Sequence, residues 1–299
     1  MGNFPSQQSN VPHFWPKMEF SLFLSGIIFS IPCYLFVFYH LLNEKTARQS
    51  LHNHVILILL FYNFLIVIFD LPMTLNFNRL GYVSPFNQTA CLIWQFVDNG
   101  IWYGALSLMF WASFERHILV FHTNLVSTTR RRLFFHYILL IFFSLYTPMI
   151  YVYLVFIQSC GQIYTETAIL CGGICLYIDA PVWLQFITLL CRFLRQKQRL
   201  QQNVTWRQCR KMIIQITLIS TVYMIFDIPA VIVFIVQVSG YSTFGSDIWS
   251  PYLARMTLVP SLIIPFATLL ALPKLKGKLR NLCSWKYNQR AVFPGSTTN

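Results

Sequence analysis

Charge is what this sequence has least of: only 10% of its 299 residues are Asp, Glu, Lys or Arg. A water-soluble domain carries roughly 25%. So few charges cannot cover a surface facing water, which excludes a soluble globular protein of this length. No Ser- or Gly-rich linker and no low-complexity tract divides the chain, and it shows no internal repeat, so it reads as one domain. Its apolar runs lack period-two alternation, which excludes the strands of a membrane barrel. There is no HExxH motif, and the histidines (13, 40, 52, 54, 117, 122 and 136) fall outside the apolar runs or near their ends. An intramembrane metal hydrolase would need ligands converging at one depth. No cofactor is expected.

What the chain has instead is apolar length. Hydrophobic residues make up 56% of it and aromatic residues 17%. About 20 apolar residues cross a bilayer core as a helix. Seven runs qualify, at about Phe20–Leu42, Val55–Phe77, Cys91–Phe121, Leu133–Ile157, Ile174–Leu194, Met212–Val238 and Pro251–Leu272. Asp179 and Pro181 interrupt the fifth. Prolines 32, 72, 148, 181, 229, 260 and 265 would stop soluble helices, whereas neighbouring helices in a membrane bundle satisfy the carbonyls they free. The first run is too long for a signal-peptide core and has no basic region before it, so it is expected to remain as the first helix. The expected fold is all-α: a seven-transmembrane bundle over 20–272, preceded by a tail over 1–19 and followed by a short amphipathic helix and tail over 273–299.

Orientation follows from the basic residues. With seven spans the loops alternate between two sides, and 19 of the 22 Lys and Arg fall on one of them. The positive-inside rule makes that side cytosolic, with the amino terminus outside. The net charge of +13 is then membrane topology, with some attraction to anionic lipid heads. The basic residues are dispersed over separate short loops, so nucleic acid is not an expected partner.

The cysteines fit this orientation. Cys91, Cys160, Cys171 and Cys175 fall on the outer side, where disulfides persist. Four cysteines allow three connectivities. A bridge from Cys91, at the start of the third run, would pin the loop between runs four and five over the mouth of the bundle. Asn87, in Asn-Gln-Thr, lies outside and is a candidate glycan acceptor. Asn203 carries the same motif on the cytosolic side, where it means nothing.

At the inner end of the third run stands Glu115-Arg116-His117, with Arg116 25 residues after Cys91. An arginine alone at that depth would simply reach for the interface. An outer cysteine and an inner acid–arginine pair on one crossing helix resemble the rhodopsin-like (class A) G-protein-coupled receptors. The likeness is to divergent, invertebrate-type members. It implies that the acid holds Arg116 at rest and releases it to a heterotrimeric G protein when the inner halves of helices three and six part. It also implies a Cys91–Cys171 bridge, with Cys160 and Cys175 left to pair with each other. Proline-bearing segments at 71–75, 226–229 and 264–270 fit the same pattern more loosely. Over 273–285, Leu272, Leu275, Leu279 and Leu282 recur at helical spacing among lysines and an arginine. That is a short amphipathic helix for the inner leaflet, similar to the family's eighth helix, with Cys283 placed for palmitoylation.

The departures from the family pattern are specific. Asn63 stands where the family keeps a sodium-binding aspartate, and Asp227 where it keeps a tryptophan. Ile264 and Thr268 replace the asparagine and tyrosine that flank the proline of helix seven, Pro265.

The outer half carries its own signal. Asp70, Asp98, Asp179 and Asp227 all lie within the spans, and ionisable residues in a membrane mark function by default. Arg255, with Arg79 at the edge, is the basic residue placed to answer them. Asp98 is seven residues beyond Cys91, about two helical turns. In the resembling family's amine receptors, the aspartate at that offset pairs with the ligand's ammonium. The expected ligand is therefore extracellular and cationic, an amine or a basic peptide end. Residues 251–272 contain no lysine, so a retinal Schiff base is excluded. A multispan ion or solute carrier or channel, using the same intramembrane acids, is the alternative. Seven spans cannot form two equal repeats, which weighs against it. No enzymatic activity is expected.

Overall fold

A computed structural model describes residues 14–45, 51–121, 128–157, 164–166, 169–172, 206–239, 241, 244–245 and 253–271. Among these residues all regular structure is helical and there is no strand. The described helices form six rods. α1 is Phe14–Asn43. α2 runs through Leu51–Leu65, a wide turn at Ile66–Asp70, and Leu71–Leu80. α3 joins Gln88–Gln95, a wide turn at Phe96–Ile101, and Trp102–Phe121. α4 combines Thr129–Arg132, Leu133–Ile138, Leu139–Val152 and Tyr153–Ile157. α5 is Trp206–Val238, and α6 is Ala254–Met256 with Val259–Ala271. They correspond to runs one to four, six and seven. The fifth run and the amphipathic segment at 273–285 lie outside the described residues.

Three of these helices are long and apolar enough to cross a membrane: Met18–Asn43, Asn53–Leu80 and Arg130–Ile157. Two shorter apolar stretches, Thr217–Val233 and Val259–Leu270, accompany them. α4 shows what its surroundings must be. Its buried stripe holds His136, Leu140, Ser144, Thr147 and Pro148. Its outward face exposes Ile141, Phe142, Leu145, Tyr146 and Met149. A soluble helix buries the apolar stripe and exposes the polar one. α4 does the reverse, as lipid on one side and a polar bundle interior on the other require. α1 likewise exposes Leu22, Ile28, Phe29 and Leu35, and turns Ser30, Tyr34, Val37 and Leu41 inward.

α2 and α3 lie at the centre. α2 packs against α1, α3 and α6, and α3 against α2, α4 and α5. On α3 the buried residues Ile101, Ala105, Leu108, Ala112 and Glu115 recur every three or four positions. The ends of the rods follow ordinary capping chemistry. α2 stops at Gly81, whose φ of 77° only glycine adopts cheaply and whose N–H donates to the Phe77 carbonyl. α3 begins after Asn87, whose side-chain oxygen accepts from the Ala90 N–H at 2.6 Å.

The prolines explain how neighbouring rods are joined. Proline has no N–H, so the carbonyl four residues earlier loses its helical partner. Pro148 frees the Ser144 carbonyl, and the Tyr62 hydroxyl from α2 donates to it at 2.6 Å. Pro265 frees the Ser261 carbonyl, and the Tyr34 hydroxyl from α1 donates to it at 2.6 Å. One residue on, the Ser30 hydroxyl donates to the Leu262 carbonyl at 2.8 Å. These two prolines thus create acceptors that a neighbouring helix fills. Close approach is needed at the first junction: a Cβ on Gly104 would sit 2.7 Å from the Tyr62 ring and 3.3 Å from Pro148.

Candidate functional site

The polar groups of the interior gather at three levels along α2 and α3. The first is the end that carries Cys91. Cys91 is bonded to Cys171, and both are fully buried. The Gln95 amide donates to the Leu170 carbonyl at 2.9 Å, so two neighbouring residues of the 169–172 segment are tied to α3. Leu170 and Cys171 adopt left-handed backbone angles, which these anchors must hold against their cost. The segment rests on Val83 and Trp94, with Met73, Phe77 and Tyr164 around them. Cys160 and Cys175 lie outside the described residues.

Directly beneath is Asp70, 1% exposed. The Trp94 indole N–H donates to its Oδ1 at 2.7 Å, and the Thr74 hydroxyl does so weakly at 3.4 Å. Its Oδ2 is buried with no hydrogen-bond partner among the described residues. Asp98, on the wide turn of α3, accepts from the Asn99 amide at 3.1 Å. Arg255 does not join them. Expected to answer the intramembrane acids, it instead forms an ion pair with Glu19 of α1. The reason is reach: α6 packs against α1, and Glu19 lies within the helix rather than in a free tail. Asp179 lies outside the described residues. Asn87 is exposed, but its oxygen is committed to the cap of α3.

The second level is midway. The Asn63 oxygen accepts from the Tyr223 hydroxyl of α5 at 2.9 Å and from the Ser261 hydroxyl of α6 at 3.0 Å. Its amide donates to the Leu59 carbonyl at 2.8 Å. Asn63 is therefore a neutral hub linking three rods, and its position is fully buried. One turn along α5 from Tyr223, Asp227 is 8% exposed, and neither of its carboxylate oxygens has a hydrogen-bond partner among the described residues.

The third level is the opposite end of α3. Glu115 is 3% exposed, and its carboxylate bonds to the ring of His136 on α4, itself 1% exposed. The other ring nitrogen of His136 lies 3.2 Å from Nδ1 of His54 on α2. The carboxylate expected to hold Arg116 thus has a partner on another helix. Arg116 and His117 continue α3, and their side chains lie outside the described residues, as does Cys283.

His136, Tyr62, Tyr34 and Glu19 carry bonds that sequence reasoning did not assign. His136 and Ser144 are eight residues apart and so share one face of α4 with Pro148, which was a readable sign of an inward face. Among the described residues no group of three or more His, Cys, Asp or Glu could hold a metal ion. The interior thus carries buried carboxylates at one end, a neutral hub between, and a chain of ionisable groups at the other end. The sequence matches no protein-family model, and no curated protein matches it.

Proposed function

We propose that the chain is a seven-helix receptor of the rhodopsin-like G-protein-coupled class. In this reading it lies in the plasma membrane with its amino terminus outside and its carboxyl terminus cytosolic. It transmits the binding of an extracellular ligand to a heterotrimeric G protein. The observation that carries the reading is α3 itself. One end is bridged through Cys91 to Cys171, and the other buries Glu115 beside Arg116. A helix anchored at one end and held by a breakable polar bond at the other can carry a signal along its length. The ligand in this reading is cationic. Arg255 is engaged by Glu19, while Asp70 and Asp227 keep buried oxygens without hydrogen-bond partners among the described residues. A buried anion is costly unless paired, and a cation would supply the pair.

The test is expression of the full chain in cells carrying reporters for several G-protein families, with an unbiased set of amines and basic peptides. Arg116→Ala abolishes coupling and leaves the surface level unchanged. Glu115→Gln raises ligand-free signalling. If both variants signal like the parent, the receptor reading is wrong. The buried carboxylate of Asp227, with neither oxygen hydrogen-bonded among the described residues, favours a carrier or channel as the second reading. Proton- or ion-dependent flux in vesicles, with no G-protein response, would select it.

A further inference from the structure

The chain of ionisable groups at the Glu115 end has a feature that an acid–arginine pair lacks. Besides its neighbour in sequence, Glu115 has a partner across the helix interface. The His136 Nδ1–H donates to Glu115 Oε1. Nε2 of His136 stands 3.2 Å from Nδ1 of His54, so a single proton between the rings completes a hydrogen bond. Carboxylate, ring and ring belong to α3, α4 and α2, and this one chain ties three rods at one point. Glu115 and His136 are almost wholly buried, at 3% and 1% exposure.

From this geometry we infer that His136 is the latch of the proposed switch: it holds Glu115, and with it the end of α3, against α4 and α2, and signalling requires that this bond open. The inference rests on the receptor reading. Its physical basis is that both partners have a second good environment. Paired and dry, each satisfies the other. Parted and wet, each is solvated at the boundary, where this end of α3 lies. Removing one partner leaves the other buried without a counterpart, which is expensive, and so favours the parted state. His136 touches no ligand and no G protein in this scheme. It is a positioning residue that sets how readily α3 is released.

The test uses the full chain with His136→Leu, His136→Gln, Glu115→Gln and the Glu115→Gln/His136→Leu pair. Each variant is read in two ways: ligand-free G-protein signalling at matched surface level, and the unfolding midpoint of the purified protein in detergent. A latch predicts that His136→Leu raises ligand-free signalling several-fold. The double variant signals no more than the stronger single one. His136→Gln, whose amide can still donate to Glu115, falls back toward the parent. In detergent the midpoint losses of the two single variants do not add. Additive midpoint losses would overturn the latch, since the two residues would then not be coupled. Non-additive losses with unchanged signalling in every His136 variant would also overturn it, provided Arg116→Ala still abolishes coupling in the same cells. A chain in which neither the parent nor any variant signals, yet the midpoints remain coupled, identifies the failure as that of the receptor reading.

Discussion

Tyr62→Phe isolates one bond at the heart of the bundle. The substitution keeps the ring that packs on Gly104 and removes only the hydroxyl, which donates to the Ser144 carbonyl at 2.6 Å. Hydrogen bonds between membrane helices average about 0.6 kcal/mol, with a maximum near 1.7. This one belongs near the top of that range, because Pro148 has no N–H with which to satisfy the carbonyl instead. Tyr62 and Ser144 are each 7% exposed, so water does not readily replace the lost donor. A buried acceptor left unsatisfied costs about 1–3 kcal/mol, so we take a loss of about 1.5 kcal/mol. At ~2–4 °C per kcal/mol, the unfolding midpoint falls by about 3–6 °C. The decisive comparison is Tyr62→Phe in a Pro148→Ala background. Alanine at 148 restores the N–H that bonds Ser144 within α4, so the hydroxyl becomes dispensable and the second loss shrinks to a fraction of the first. Thermal unfolding of the four proteins in one detergent measures this directly. An equal loss from Tyr62→Phe in both backgrounds would refute the idea that the tyrosine serves a proline-freed carbonyl.

Gly104→Ala places a methyl 2.7 Å from the Tyr62 ring, which its hydroxyl bond holds in place, and should destabilise by about 1–3 kcal/mol, read from the same midpoint. Adding Tyr62→Phe should then recover part of that loss, because the freed ring can move aside. Cys91→Ser opens a bridge spanning 80 residues and should cost on the order of 2–4 kcal/mol, with loss of ligand response and of surface trafficking. Peptide mapping without reductant should find Cys91 joined to Cys171, and a free Cys91 thiol would contradict it. Asp98→Asn should weaken a cationic agonist by more than the ~1 kcal/mol of a surface ion pair while leaving the surface level unchanged. An agonist that tolerates this change is not held by Asp98.

Composition and run length alone determined that this is a chain for a membrane. Ten per cent charge and repeated apolar stretches decide the solvent, because transfer energy is summed residue by residue and needs no knowledge of neighbours. The helical class and the approximate placement of α1 to α6 follow from the same one-body terms. Proline positions also announced that carbonyls would be freed, but not which residue would reach them. That Tyr62 serves Ser144 and Tyr34 serves Ser261 depends on the rotation and height of two helices at once. Spacing alone left several cysteine pairings open, and the fold joins Cys91 to Cys171, the pair that the family resemblance implied. Arg255 was assigned to the nearest acids by depth, yet the packing of α6 on α1 delivers it to Glu19. Glu115 was read only against its neighbour in sequence, and the fold gives it a partner in His136, 21 residues away on another rod. Burial is a property of each residue, and sequence carries it; partnership is a property of two helices in register, and only the tertiary structure decides it.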